Sequence, residues 1–354
     1  MKKIFVMAYL RNNFGDDLFV SELIDRYPKD MFYIDVIDMR FAESFKDRNN
    51  VEITLSEEEN FRKIDVNKYD GYVYIGGSIF MEGGKVYNLD EDCFNFVKKC
   101  KEKNKPFFYI SSNYGPYRTE EYFNLSKKNF EHVTDICFRD RYSHELFKDI
   151  EAVRYAPDLL FSYEIGEVLK EKDTIGISVI DLEIRDEFKS VEEEYIEFLV
   201  NNINNYLENN KKVYLFSFCK EEGDEVAIQK ILERLKENSN YNNIYVVKYL
   251  GNIKEFLQQY TKMEYMICQR FHSVILSYIC NQKYYIISYS KKICNIIEDL
   301  KLCDNYLKLM DVSPNKIIEL KDFNKVDEVN LKNIKNESKK QFEKLDKFLC
   351  KKEG

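Results

Sequence analysis

The sequence has no tryptophan, only three histidines, and no apolar run of membrane-spanning length in its 354 residues. A helix that crosses a bilayer needs about 20 consecutive apolar residues, so an integral membrane protein of the helical class is not predicted. The nine cysteines are odd in number and form no C-x-x-C pair, which argues against a zinc site or a redox dithiol. We interpret them as free thiols of a protein in the reducing cytoplasm.

The chain also lacks both glycine-rich signatures of nucleotide-binding loops, G-x-x-x-x-G-K-[ST] and G-x-G-x-x-G. Its formal net charge is −8 at pH 7, and this acidic balance argues against general binding of nucleic acid or of an anionic membrane surface. A site for an anionic ligand must therefore be a local cluster of basic residues. The lysines and the short apolar stretch of the start, MKKIFVMAYLRNN, imitate a secretion signal, but we predict a first β-strand there.

Short apolar runs recur along the chain and are separated by polar segments of helix length. In the first half they are IFVMAY (4–9), FYIDVI (32–37), YVYIGG (72–77), PFFYISS (106–112) and DICFRD (135–140). In the second half they are TIGISVI (174–180), KVYLFSF (212–218), IYVVKY (244–249), YMICQR (265–270) and YYIISY (284–289). Such runs are typical of parallel strands covered on both faces. They predict an α/β protein with two Rossmann-like, doubly wound domains.

The polar stretch at 162–173 marks the expected domain boundary. We predict a first domain over 1–165 and a second over 170–320. The remaining segment, 321–354, contains apolar residues at helical spacing within 331–349, which indicates an amphipathic helix that needs a surface to cover. We expect this helix to cross back to the first domain.

Ligands of open α/β sheets bind beyond the carboxyl ends of the strands, so residues directly after each run are candidates for the site. After the first run come Asn13 and the pair Asp16 and Asp17. One aspartate could cap a helix predicted to begin near Leu18. Two adjacent carboxylates would repel a phosphate, so we expect this loop to contact sugar hydroxyls or to accept a proton.

The third and fourth runs are followed by loops of glycine and uncharged polar residues. Gly76, Gly77 and Ser78 form a loop whose backbone N–H groups can point at a ligand, although glycines also serve plain turns. Asn113 and Tyr114 follow the fourth run and are candidate polar contacts.

Arg139 directly follows the fifth apolar run, and we expect it to face the site. We interpret Asp140 and Arg141 as a surface ion pair, which contributes little to stability. His132 is interpreted as a surface residue. For His144, in the first turn of the helix after Arg139, a structural role is preferred over a supporting role near the site.

The segment CQRFHSVILSY places Arg270 and His272 at the end of an apolar run, and Lys291 and Lys292 follow the next run. Together these residues predict a cationic pocket in an acidic protein. Arginine can hold a carboxylate or a phosphate with two hydrogen bonds. Histidine can donate a proton near neutral pH.

The ordered motifs of the chain resemble those of the polysaccharide pyruvyl transferase family. The motifs are NFGDD, IGGSIF, GPY, FRDRYS, APDLLF, IGISV, GDE, RFHS and YSKK, which run from Asn13 to about Lys292. The resemblance implies a two-domain, GT-B-like fold in which the domains face a cleft, with the acceptor on the first domain and the donor on the second. It also implies transfer of a pyruvyl group from phosphoenolpyruvate to a pair of sugar hydroxyls, which forms a cyclic ketal and releases phosphate. Many members have three glycines where this chain has Gly76-Gly77-Ser78, so the resemblance does not define the acceptor pocket.

The same resemblance implies roles for individual residues. The family's Arg-x-His signature falls on Arg270, which would hold the donor, and on His272, which would act as general acid. Its Arg-Asp-x-x-Ser signature falls on Arg139, Asp140 and Ser143. Further cations would come from Lys291 or Lys292, and a base for the sugar hydroxyls from Asp16 or Asp17.

This scheme requires phosphoenolpyruvate and a glycan or lipid-linked sugar acceptor as partners, with peripheral membrane contact in the second case. It requires no metal, no cofactor and no nucleic acid. Two alternatives stay open. The first is a GT-B glycosyltransferase that uses a nucleotide sugar. The second is a non-catalytic family member that binds carbohydrate.

Overall fold

The computed structural model describes residues 1–84, 86–166 and 168–350. It divides the chain into two units. Unit 1 contains residues 1–10, 16–163 and the chain from Asn333 onward, and unit 2 contains residues 11–15 and 164–332. Residues 11–15, which lie shortly after the first strand, are therefore part of unit 2, although the strand itself belongs to unit 1.

Unit 1 contains a seven-stranded parallel sheet. Its strands are β1 (Lys3–Met7), β2 (Met31–Val36), β3 (Val51–Leu55), β4 (Gly71–Ile75), β5 (Phe107–Ser112), β6 (Asp135–Phe138) and β7 (Val153–Tyr155). The helices are α1 (Phe14–Arg26), whose first two residues belong to unit 2, α2 (Glu91–Glu102), α3 (Glu120–Phe130) and α4 (Arg141–Phe147). The strand order is β3-β2-β1-β4-β5-β6-β7, so the direction of winding reverses at β1 and β4.

Unit 2 contains a six-stranded parallel sheet. Its strands are β8 (Glu171–Ser178), β9 (Lys212–Ser217), β10 (Ile244–Lys248), β11 (Met263–Cys268), β12 (Lys283–Ser288) and β13 (Tyr306–Lys308). The helices are α5 (Glu192–Glu208), α6 (Asp224–Leu235), α7 (Ile253–Tyr260), α8 (Phe271–Ile279) and α9 (Lys291–Leu300). The order is β10-β9-β8-β11-β12-β13, with the reversal at β8 and β11. In open sheets of this kind, ligands bind at the reversal point, beyond the carboxyl ends of the strands.

All ten predicted runs form strands, and the predicted α/β class with two doubly wound sheets is confirmed. The sequence missed β3, β7 and β13, which all lie at the edges of their sheets. Edge strands are covered less completely than central ones, so a continuous apolar run is not required of them, although the edge strand β10 has one. The five residues of β3, VEITL, contain no buried position, whereas all five of β4, GYVYI, are buried.

The C-terminal segment returns to unit 1, as predicted, but it is not one continuous helix. It consists of α10 (Glu328–Ser338), a 3-10 turn at Lys339–Phe342 and α11 (Glu343–Leu349). The Oγ of Ser338 donates to the carbonyl of Asp158 at 2.7 Å. The amide of Gln341 accepts from the Ser111 N–H at 2.9 Å and donates to the carbonyls of Ala156 and Pro157 at 2.7 and 3.1 Å. Through these hydrogen bonds, the C-terminal segment links the backbone that follows β7 to the end of β5.

None of the helices in the described part of the chain is long and apolar enough to cross a membrane.

Candidate active site

The first turn of α1 differs from the sequence prediction. The helix begins at Phe14 rather than near Leu18, so Asp16 and Asp17 lie inside its first turn and neither is the capping residue. The Oδ1 of Asn13 accepts from the Gly15 N–H at 3.1 Å, which is the bond expected of a helix cap. The sequence missed this start because Phe14 and Gly15 are poor helix-initiation signals.

The two adjacent carboxylates have different environments in unit 1. Asp17 is fully buried, and its Oδ2 accepts from the Ser44 hydroxyl at 2.8 Å. Asp16 is only partly buried and faces the glycine loop, since a Cβ added at Gly76 would lie 3.6 Å from its Oδ1. Of the pair, Asp16 is therefore the carboxylate placed beside the loop at the reversal point of the first sheet.

Arg139 is the centre of a buried network at the same edge of the sheet. Its Nη1 donates to Asp158 at 2.8 Å and its Nη2 to the Oδ1 of Asn113 at 2.6 Å. The guanidinium lies flat on Gly77, where a Cβ would overlap it. Burial raises the pKa of Asp158, and the charge of Arg139 opposes that effect. Because Arg139 is 4% exposed and bonded on two sides, it fixes the positions of the loops around it.

Neighbours of this network depart from the sequence interpretation. Asp140 is buried and is the N-cap of α4, accepting from the Ser143 N–H at 2.8 Å and from its hydroxyl. The surface position expected for Asp140 is therefore wrong, because this carboxylate is buried and caps the start of α4. Ser78 keeps its predicted place in the loop, with its Oγ 3.5 Å from the Asn113 Oδ1. Tyr114 is 3% exposed, packs edge-to-face against Phe147 with ring centres 4.8 Å apart, and bonds to Ser126, so its side chain is part of the core.

The edge of the second sheet contains a buried arginine with two carboxylates. Arg270 donates from Nη1 to Glu222 and from Nη2 to Asp224. Asp224 is fully buried, and its second oxygen accepts from the N–H groups of Phe218 and Cys219 at 2.8 and 3.0 Å. Burial raises the pKa of Asp224, opposed by the charge of Arg270. Asp224 therefore ties Arg270 to the loop that follows β9.

Two further cations and a tyrosine surround Glu222. The Nη2 of Arg185 donates to Glu222 at 3.3 Å, and its guanidinium carbon lies 5.3 Å from the ring centre of Tyr289. Burial tends to raise the pKa of Glu222, but the charges of Arg270, Arg185 and Lys292 outweigh it and lower the pKa to about 2. The pKa of Tyr289 is also lowered, because the same three cations outweigh its burial. We call Arg185, Arg270, Lys292 and Tyr289 the cationic cluster.

His272 lies at the start of α8 against the backbone of Gly15. A Cβ added at Gly15 would overlap the imidazole ring, so only glycine permits this approach. The segment that carries Gly15 is held in unit 2 by a hydrogen bond from the Phe14 N–H to the Phe218 carbonyl at 3.0 Å. The Nδ2 of Asn13 donates to Glu222 at 3.0 Å. The sequence-predicted residues Asn13, Arg270 and His272 are thus brought together within unit 2.

Several buried polar atoms at this edge have no hydrogen-bond partner among the described residues. They are Ser217 Oγ, Gln269 Nε2, Arg270 Nε and Ser290 Oγ. Ser217 ends β9, Gln269 and Arg270 directly follow β11, and Ser290 follows β12. An unsatisfied buried polar atom costs about 1–3 kcal/mol, so such atoms collect where a ligand or ordered water supplies the missing bonds.

Sequence reasoning missed Arg185, Glu222, Asp224 and Tyr289 as members of the site. Arg185 lies in a loop far in sequence from the other cations, so no local pattern identifies it. The signal for Glu222 and Asp224 was the EEGDE stretch after β9, which contains both carboxylates that bind Arg270. Of the two predicted lysines, Lys291 is exposed and Lys292 belongs to the cluster.

One group of acidic residues in the described chain has oxygens close enough to hold a cation. Asp181, Glu183 and Glu192 offer ligand atoms within 4.8 Å of one another. Lys230 donates to Glu183 at 2.7 Å and also to Glu192. The lysine already supplies the positive charge, and we assign no metal there.

Comparisons with known proteins agree with this architecture. The family model described as polysaccharide pyruvyl transferase matches residues 13–291. UDP-GlcNAc 2-epimerase from Neisseria meningitidis, bound to UDP-GlcNAc, is similar in fold with a TM-score of 0.60 at 12% identity, covering 98% of this chain and 100% of that chain. UDP-GlcNAc 2-epimerase from Methanocaldococcus jannaschii has a TM-score of 0.56 at 12% identity, covering 99% of this chain and 93% of that one. These likenesses extend over almost the whole chain and establish the GT-B-like fold.

Proposed function

The chain belongs to the polysaccharide pyruvyl transferase family, an enzyme family, and we propose that it transfers a pyruvyl group from phosphoenolpyruvate to two hydroxyls of one sugar. The sugar would be part of a cell-surface polysaccharide or of its precursor. The products would be a cyclic ketal and phosphate.

The observation that carries this proposal is the cationic cluster at the carboxyl edge of the second sheet. Arg185, Arg270 and Lys292 are the cations that act on both Glu222 and Tyr289, in a protein whose net charge is −8. A concentration of positive charge in an acidic protein is expected where a multiply charged anion binds. Phosphoenolpyruvate carries both a phosphate and a carboxylate.

His272 is proposed as the proton donor. A proton added to the methylene carbon of phosphoenolpyruvate turns that carbon into a methyl group and leaves the neighbouring carbon electron-poor. The first sugar hydroxyl forms a C–O bond to that carbon and loses its proton. The second hydroxyl then displaces phosphate at the same carbon and loses its proton in turn, which closes the ketal.

The acceptor hydroxyls need a proton acceptor, and we propose Asp16 for that role. It is partly exposed beside the glycine loop, whereas Asp17 is buried and bonded to Ser44. Arg139 acts as a positioning residue in this scheme, because its terminal nitrogens bind Asn113 and Asp158.

The proposal is tested by titrating the protein with phosphoenolpyruvate by calorimetry, with nucleotide sugars in parallel. Mass spectrometry of a panel of glycosides incubated with phosphoenolpyruvate then detects a ketal product, and a colorimetric assay detects phosphate. We expect phosphoenolpyruvate binding in the wild-type protein and in His272→Gln, and transfer only in the wild type. General acid catalysis contributes about 10²–10⁴-fold, so His272→Gln should lose at least that much of the transfer rate.

Two results would contradict the proposal. Binding of a nucleotide sugar without binding of phosphoenolpyruvate would favour a glycosyltransferase. Full transfer by His272→Gln would exclude the proposed proton donor.

A further inference from the structure

We infer that Arg185 and Tyr289 bind the phosphate group of the anionic donor, with Arg270 held behind them as a fixed charge. This inference rests on the proposed function and names the groups that contact the donor. It assigns a binding role to Arg185, which lies outside the sequence motifs, and to Tyr289, the first residue of the YSKK motif.

Arg270 is the most constrained cation of the cluster. Its two terminal nitrogens bind Glu222 and Asp224, and its side chain is 7% exposed. Asp224 is itself held by the backbone N–H groups of Phe218 and Cys219. A ligand that took both terminal nitrogens would have to displace Glu222 and the buried Asp224, and Asp224 accepts hydrogen bonds from Arg270 and from two backbone N–H groups. The Nε of Arg270, which has no partner among the described residues, is the N–H that remains for a ligand.

Arg185 is held much less tightly. It is 17% exposed and shares Glu222 at 3.3 Å, near the long limit of a hydrogen bond. Its Nη1 is bonded to the Asp181 carbonyl at 2.6 Å, which anchors one side of the guanidinium and leaves its other N–H groups for exchange. An arginine anchored at one nitrogen can present a fork to phosphate with little loss of side-chain freedom.

Tyr289 completes the arrangement beside Arg185. It directly follows β12 and is partly buried, and its ring lies under the Arg185 guanidinium. Its phenol is surrounded by the charges of Lys292, Arg270 and Arg185, with Glu222 as the opposing charge, and these cations lower its pKa. A phenol polarised by cations is a strong hydrogen-bond donor toward a phosphate oxygen.

Charge balance supports the phosphate as the group that binds here. Three cations, Arg270, Arg185 and Lys292, act on the one carboxylate of Glu222, so positive charge is concentrated at this point. The orphan atoms of Ser217, Gln269 and Ser290 lie at or just after the carboxyl ends of β9, β11 and β12. Phosphate oxygens accept several hydrogen bonds at once, so a phosphate can satisfy donors of this kind.

The test is calorimetric titration of the full chain with phosphoenolpyruvate and, separately, with inorganic phosphate. The variants are Arg185→Gln, Arg185→Lys and Tyr289→Phe. Loss of a charge-assisted hydrogen bond should weaken binding about 10- to 100-fold in Arg185→Gln. Loss of a neutral hydrogen bond should weaken it about 3- to 10-fold in Tyr289→Phe. Arg185→Lys keeps the charge but loses the paired N–H donors of the guanidinium, so its affinity should lie between those of the wild type and Arg185→Gln.

Matched controls separate a local effect from a general one. Arg234 pairs with Glu193 on the surface, and Tyr245 is 39% exposed on the edge strand β10. Arg234→Gln and Tyr245→Phe should bind both ligands like the wild type. Should Arg185→Gln fail to fold in a urea titration, Arg185→Lys and Tyr289→Phe decide the question.

The outcomes distinguish this inference from the function on which it rests. If the wild type binds phosphoenolpyruvate and the Arg185 and Tyr289 variants bind it equally well, the inference is wrong and the function stands. If the variants lose pyruvyl transfer but keep wild-type affinity for phosphate, the phosphate assignment is wrong. If the wild type binds neither phosphoenolpyruvate nor phosphate, the proposed function fails and this inference fails with it.

Discussion

Replacing Gly15 with alanine should displace the imidazole of His272 while leaving every charged group of the cationic cluster in place. The added Cβ would overlap the ring, with Nδ1 as its nearest atom. Gly15 is the second residue of α1, where the backbone is anchored by the Asn13 cap. The ring is therefore the part that moves.

The size of the effect follows from two opposing contributions. Overpacking in a well-packed site costs about 1–3 kcal/mol. Alanine is favoured over glycine in a helix by about 0.5–1 kcal/mol. We therefore expect Gly15→Ala to lower the free energy of unfolding by up to about 2.5 kcal/mol. If the ring shifts by about 1 Å, the rate of pyruvyl transfer should fall about 10²-fold.

Urea unfolding, calorimetry with phosphoenolpyruvate and the transfer rate together test this prediction. Donor binding should be nearly unchanged, because the cationic cluster keeps its residues. Gly166→Ala is the matched control, since a Cβ there would meet nothing within 4 Å. In a His272→Ala background the ring is absent, so Gly15→Ala should cost no stability and could add the helical gain of about 0.5–1 kcal/mol.

The reasoning would be refuted if Gly15→Ala destabilised the protein equally in the wild-type and His272→Ala backgrounds. That result would mean that Gly15 acts through its own backbone and not through the ring. A wild-type transfer rate in Gly15→Ala would also refute it, because the position of the His272 ring against Gly15 would then not matter for catalysis.

Three further changes test the supports of the site. Asp224→Asn removes the fixed partner of Arg270 and should lower the free energy of unfolding by about 3 kcal/mol or more in urea, with weaker phosphoenolpyruvate binding by calorimetry. In Glu222→Gln, the free energy of unfolding, measured in urea at several pH values, should fall less steeply at acid pH than in the wild type. The pKa of Glu222 is lowered to about 2 against burial by Arg270, so its ionised form adds stability above about pH 4.5 that is lost as the pH falls toward 2. Gln341→Leu removes three buried hydrogen bonds to backbone and should cost several kcal/mol, at about 1–3 kcal/mol for each group left unpaired.

Each of these predictions has a result that would contradict it. Wild-type stability of Asp224→Asn would mean that Arg270 does not depend on that carboxylate. If the free energy of unfolding of Glu222→Gln fell with acid pH as steeply as that of the wild type, the ion pair would contribute nothing in that pH range. For Gln341→Leu the matched control is Lys340→Leu, at an exposed neighbour paired with Glu337, and equal stability of the two variants would exclude the anchoring role of the C-terminal segment.

Local patterns in the sequence were sufficient for the parts of the site that lie directly after central strands. Arg139, Arg270 and His272 each follow a continuous apolar run, and parallel strands end at one edge of a sheet. Their approximate place was therefore predictable. Their contacts were not, because Arg139 bonds to Asp158 and Arg270 bonds to Glu222 through residues that are distant in sequence.

The sequence by itself determined the two doubly wound α/β sheets, the family and the returning C-terminal segment, because apolar runs, helical spacing and ordered motifs are all local. Only the tertiary structure decided which of two neighbouring residues is available to a ligand. Asp17 is buried against Ser44 while Asp16 faces the glycine loop, and Lys292 joins the cluster while Lys291 is exposed. Consecutive residues in the first turn of a helix point about 100° apart, so a one-residue difference moves a charge from the core to the site. Which of the two side chains is buried depends on the packing around the helix, and the order of residues along the chain does not reveal it.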